Sequence, residues 1–206
     1  MRLHPLDRWH RLLFRFSTHL SVPGFDVRVL GNGDEVGRVA AKISDAVDLL
    51  SRYSPVRLNH LERDLPRIAV TATHHRGQCL FGVGICVLQA EFVMAGTTDP
   101  ARVAMLLVHE GTHARLIRAG FDYSEGRRAR IERICIRAEL FVARRIPEAQ
   151  HLVTDAEKRL NRPDEFWSDA AFRARDVQEF GSLAKVAYAI NRSLVAVQRF
   201  LRNRAA

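Results

Sequence analysis

Two histidines and a glutamate carry the clearest chemistry in this sequence. His109, Glu110 and His113 lie in the stretch LLVHEGTHARL, an H-E-x-x-H arrangement. Four residues is just over one helical turn, so both imidazoles leave one face about 6 Å apart. That spacing suits two corners of a tetrahedral zinc site, each ring nitrogen roughly 2.0–2.1 Å from the metal. Glu110 lies about 100° round the helix from His109, beside such a metal and placed to take a proton from the attacking water. The surrounding residues predict a helix over 99–119. Asp99 reads as its N-cap, Pro100 as its first residue and Gly120 as the residue just past its end. Met105, Leu106, Val108, Leu116 and Ile117 give it apolar faces. Two hydrogen-bonded core histidines with a salt-bridged glutamate are the competing reading. Burying three polar groups on one helix is costly, which weighs against it.

A third ligand must come from elsewhere. After the turn GFDYSEG, residues 125–145 predict a second helix, stopped before Pro147. Glu132, Cys135 and Glu139 lie along one side of it. A short turn makes the two helices antiparallel neighbours, so heights above the turn can be compared. His113 and His109 stand about 10 and 16 Å from Gly120, and Glu132 and Cys135 about 12 and 16 Å from Ser124. Glu139, at about 22 Å, overshoots by roughly one turn, although its side chain leans back toward His109. Glu132 is therefore the candidate ligand. Glu139 is the candidate outer partner or alternative ligand, and Cys135 a possible fourth ligand of a closed site.

Taken together, His109, Glu110 and His113 followed by Glu132 resemble the zincin metallopeptidases of the gluzincin type. The resemblance covers residues 99–145 and extends to small, uncharacterised bacterial zincin-like proteins. It implies zinc held by His109, His113 and Glu132, one ion per chain, with Glu110 as general base in peptide-bond hydrolysis. Ile136 stands where an acidic residue often follows the third ligand by four. The longer metzincin motif is absent, with Leu116 and Ala119 at its glycine and third-histidine positions. Tyr123, His151 and Tyr188 are candidate donors to the transition-state oxyanion.

The chain has 206 residues and 47% hydrophobic composition, enough for one folded domain with a core. Three cysteines, Cys79, Cys86 and Cys135, contain no C-x-x-C pair and argue for a reducing, cytoplasmic setting. A net charge of +9 invites a nucleic-acid reading. Against it, only three of the 32 basic residues are lysine, the arginines run through every segment, and no nucleic-acid motif is present. Nucleic acid is therefore not expected as a specific partner.

Residues 1–20 predict a basic amphipathic helix that packs on its own domain, or else lies on an anionic membrane surface. A short strand is expected at 25–30, an amphipathic helix from Val36 to Ser54, and a shorter helix over 56–66. A strand follows at 68–73, then a turn with His74 and His75, then a β-rich segment from Cys79 to Gly96. That hairpin directly precedes the proposed metal helix, where an edge strand can pair with an extended substrate peptide. Beyond Pro147 the chain is helical, ending in a long helix from Ser182.

These readings combine into an α+β chain, a mostly helical zincin-like domain over 1–206. Residues 1–33 form an N-terminal segment, 34–147 a core with a small sheet before the metal-binding helix pair, and 148–206 C-terminal helices. The expected function is zinc-dependent hydrolysis of a peptide or protein substrate. The rival is a catalytically inactive zincin-like binding protein with structural zinc and a basic surface for an acidic partner or nucleic acid.

Overall fold

Pro23 and Gly24 turn the chain back on itself. Proline presets its own φ, and Gly24 takes φ 81°, as a type II turn requires. The turn joins β1 (Thr18–Val22) to β2 (Phe25–Val29) as an antiparallel hairpin. The computed structural model describes residues 17–31, 33–73, 75–80 and 84–180. Residues 18–20, expected at the end of an amphipathic helix, are thus the start of a strand. Pairing with β2 overrides the helical pattern there. Residues 1–16, His74 and the helix expected from Ser182 lie outside the described residues.

From β2 the chain crosses over through α1 (Gly33–Tyr53) and α2 (Pro55–Asp64) to β3 (Arg67–Thr71), which lies parallel to β2. The apolar positions that predict α1 are the ones it buries, including Val39, Ile43, Val47 and Leu50. Pro55 starts α2 because its missing N–H is one the first turn leaves unsatisfied anyway. β4 (Gly77–Leu80) and β5 (Ile85–Gln89) form the expected hairpin, and β5 lies parallel to β3. The result is a five-stranded mixed sheet in the order β1-β2-β3-β5-β4, with β4 at an edge. The architecture is α+β. The β-rich segment expected up to Gly96 ends at Gln89; residues 90–94 instead form a short helix, α3 (Ala90–Met94), between the hairpin and α4 (Pro100–Arg118).

One sheet face holds the core. In register across it run Val27, Ile68, Cys86 and Cys79, then Val29, Val70, Leu88 and Gly77. Every side chain of those rows is buried, each aliphatic one contributing about 1.5–3 kcal/mol. The second row ends at the edge on a residue with no side chain, and α4 uses that space.

α4 is central: it meets α1, α2, β4, β5 and the following helix α5 (Glu125–Ala143). It is buried on nearly every side, from Val103 and Leu107 to Gly111 and Ala114. Such a helix has no single apolar stripe, because every face has a partner. Small residues allow the close approach. A Cβ on Gly111 would lie 3.0 Å from Leu61 of α2. The N-cap is as expected, Asp99 accepting from the Arg102 N–H at 2.7 Å. The other end closes with Gly120 at φ 84°. There Phe121 N–H bonds the Leu116 carbonyl at 3.0 Å and Gly120 N–H that of Ile117 at 2.9 Å, a Schellman motif. That motif reverses the chain into α5. A 3₁₀ turn, Pro147–Ala149, and helix α6 (Gln150–Leu160) follow, α6 packing on α5.

The chain divides into two compact units, Met1–Arg162 and Pro163–Ala206. In the second, a 3₁₀ turn, Asp164–Trp167, precedes α7 (Asp169–Phe180). Trp167 stands edge-on to Phe166 with centroids 4.8 Å apart, and Arg175 lies over the Phe166 ring. The three cysteines are buried and unpaired. No helix among the described residues is long and apolar enough to cross a membrane.

Candidate metal centre

α4 and α5 bring three side chains together. His109 and His113 leave one face of α4 with their Nε2 atoms 3.0 Å apart. Glu132, on the facing side of α5, sets Oε2 3.3 Å from His109 Nε2 and Oε1 3.4 Å from His113 Nε2. In a tetrahedral site with bonds of about 2.0–2.1 Å, neighbouring ligand atoms stand roughly 3.3–3.4 Å apart. The three groups therefore fit a zinc ion with little movement. They are also dry, with side-chain exposures of 13, 7 and 6% for His109, His113 and Glu132. The rise per residue that levels Glu132 with the histidine pair in sequence is matched by this placement.

Glu139 lies two turns beyond Glu132 on α5, about one turn past the level of His109 as the same count requires, and meets the other nitrogen of His109. Its Oε1 is 2.6 Å from His109 Nδ1. Behind it, Arg159 of α6 donates to both carboxylate oxygens, at 3.1 Å for Oε1 and more closely for Oε2. A carboxylate on the far nitrogen of a ligating histidine fixes ring orientation and raises basicity. Among the described residues His113 has no such partner, and its Nδ1 is buried without a hydrogen bond. Arg159 was not legible in the sequence, where it is one arginine among many. Its only signal is a position near the end of a helix after Pro147.

Charge inside this cluster is tightly coupled. Burial disfavours a charged His109, but hydrogen bonds to Glu132 and Glu139 outweigh it and hold its pKa well above the usual histidine value. Burial likewise disfavours ionised Glu132, yet its bonds to both histidines push its pKa down. Glu139 is lowered too, His109 and Arg159 outweighing its burial. Glu110 goes the other way. Burial lifts its pKa above the ordinary carboxylate value, against the pull of both histidines.

Glu110 faces the sheet edge. An added Cβ on Gly77 of β4 would come within 3.1 Å of Glu110 Oε1 and 2.7 Å of Leu106 Cδ1. The missing side chain at the end of the core row is thus what lets this carboxylate lie against the edge strand. Gly77→Val should push both groups aside and cost about 1–3 kcal/mol of stability, read as a lower denaturant midpoint. An unchanged midpoint would mean that the contact is loose.

The remaining candidates separate by position. Cys135 is fully buried, and its sulfur and the His109 and His113 ligand nitrogens all lie within 4.8 Å of one another. Burial, reinforced by the charge of Glu132, keeps its thiol pKa well above the ordinary range. Tyr123 donates its hydroxyl to Glu132 Oε1 and stands edge-on to His113, centroids 5.2 Å apart. His151 is not brought to the centre. Its Nε2 is 3.0 Å from Asp99 at the start of α4, about 15 Å along the helix from His109. Tyr188 lies outside the described residues.

A cleft of about 440 Å³ opens onto His109 and Glu110, bordered by Gly77 on one side and by Lys158 and Arg159 on the other. His113 and Glu132 are buried and do not line this cleft, whereas His109 and Glu110 do. Family models, curated proteins and solved structures offer no match to this chain.

Proposed function

We propose that this chain is a zinc-dependent metallopeptidase, with His109, His113 and Glu132 as ligands and Glu110 as general base. The observation that carries this reading is the convergence of two Nε2 atoms and one carboxylate at 3.0–3.4 Å, beside a cleft that Glu110 shares. A bound zinc would supply Lewis acidity toward the scissile carbonyl and lower the pKa of water to about 7. Glu110 accepts the proton of the attacking water as its oxygen bonds to the carbonyl carbon. It returns that proton to the leaving amine nitrogen as the carbon–nitrogen bond breaks. Glu139 and Arg159 hold the His109 ring in place, and β4, at the edge of the sheet among the described residues, offers main-chain groups for an extended peptide. Tyr123 is near enough to donate to a developing oxyanion if its hydroxyl leaves Glu132. A reducing, cytoplasmic setting fits the three unpaired thiols.

Zinc uptake tests the reading directly. Protein purified without added metal should bind about one zinc per chain. Free zinc at about a hundred times its dissociation constant stabilises by about 2.7 kcal/mol. For a chain of this size that raises the melting temperature by roughly 5–10 °C. Chelation should reverse the rise and stop hydrolysis of an unfolded protein substrate. If zinc neither binds nor shifts the melt, the proposal is wrong.

The position of Cys135 favours a second reading, a closed structural site with four protein ligands. Cobalt substitution separates the two. A thiolate-to-cobalt charge-transfer band, lost in Cys135→Ser, would establish the structural site; its absence supports an open, catalytic one.

A further inference from the structure

Each proposed ligand needs something to hold its orientation, and the sources differ. Glu139 bonds the outer nitrogen of His109. Glu132 is the harder case. The last torsion of a glutamate is broad, so packing along the stem does not set which way its two oxygens face. Yet they face different groups, Oε1 lying 3.4 Å from His113 Nε2 and Oε2 3.3 Å from His109 Nε2. A third contact tells the two oxygens apart: the Tyr123 hydroxyl donates to Oε1. A hydrogen bond from a hydroxyl to an ionised carboxylate is roughly twice as strong as one between neutral groups.

Tyr123 is itself held in place. It lies in the short connection between α4 and α5, where its ring stands edge-on to His113 with centroids 5.2 Å apart. The Arg128 guanidinium, one turn before Glu132 on α5, lies over the same ring at 5.1 Å. Resting on the zinc reading of this centre, we propose that Tyr123 is the positioning residue for Glu132, its hydroxyl fixing the carboxylate in the orientation that faces both histidines. It gives Glu132 what Glu139 gives His109, an outer partner that sets the angle of a ligand. The hydroxyl therefore serves the ligand and not the transition-state oxyanion. Donating to the oxyanion would break a charge-assisted bond and leave a buried carboxylate oxygen short of a donor.

The test is zinc affinity, measured on the full-length protein by chelator competition at one pH. Tyr123→Phe keeps the ring against His113 and removes only the hydroxyl. It should bind zinc about 10–100-fold more weakly than the parent protein. A double-mutant cycle shows whether the effect passes through Glu132. In the Glu132→Ala background, where only weak zinc binding is left, Tyr123→Phe should have no further effect. The melting temperature of the metal-free variant shows whether it is folded. If it is not, Tyr123→Met, which also lacks the hydroxyl and fills space flexibly, carries the same expectation. Equal zinc affinity of Tyr123→Phe and the parent protein overturns the proposal, and lowered turnover at that equal affinity would make the hydroxyl an oxyanion donor. The same loss of affinity with and without Glu132 also overturns it, because the effect would then come from packing. A parent protein that takes up no zinc overturns the metal reading itself, a result distinct from the other two.

Discussion

Glu110→Gln should leave zinc binding intact and lower hydrolysis by at least about a hundredfold. The substitution keeps the shape of the side chain and removes the group that accepts the proton. Glu110 lies on α4 between the two histidines, yet its carboxylate is turned to the cleft and the edge strand. Zinc affinity should therefore match that of the parent protein while turnover falls. The pair of measurements is informative in both directions. Undiminished turnover would place the chemistry elsewhere, and loss of zinc would make Glu110 a ligand.

Glu132→Ala should abolish tight zinc binding, whereas Glu139→Ala should weaken it by only about 10–100-fold. The two carboxylates sit on the same side of α5, but they meet different atoms. Glu132 contacts the Nε2 atoms of both histidines, at 3.3 and 3.4 Å. Glu139 contacts Nδ1 of His109 alone, and Arg159 neutralises it from behind. At the proposed site, losing Glu132 would remove one of three ligands, and losing Glu139 would free one imidazole to rotate. Chelator competition on both variants at one pH is the appropriate measurement, because bound protons compete with the metal. In the metal-free protein, Glu132 and Glu139 outweigh burial and keep His109 protonated above the ordinary histidine range. Zinc must displace that proton, so the parent protein's apparent affinity should keep rising with pH beyond that range. A larger loss for Glu139→Ala than for Glu132→Ala would reverse the two roles.

Much of the centre was legible before any tertiary information. H-E-x-x-H sets two imidazoles on one helix face because the period of the helix is fixed, and Asp99, Pro100 and Gly120 mark where that helix starts and stops. The short turn to α5 let helical rise alone place Glu132 level with the histidines and Glu139 one turn beyond. Those are local facts: they follow from backbone geometry over about 40 residues and need no partner from elsewhere.

What the sequence could not show depends on pairing across distance. β1 was hidden because residues 18–20 look amphipathic, and only β2 beside them decides for a strand. The parallel β2–β3–β5 arrangement joins segments that no local pattern connects, since each strand meets its neighbour only after a crossover. Arg159 gains its role because α6 folds back on α5, and Gly77 gains its role because the inner row of the sheet ends beneath Glu110. A sequence states which side chains are available within a turn or two. Which arginine meets which carboxylate, and which strand becomes the edge, is decided by burial of the shared core, because packing sums contacts from the whole chain.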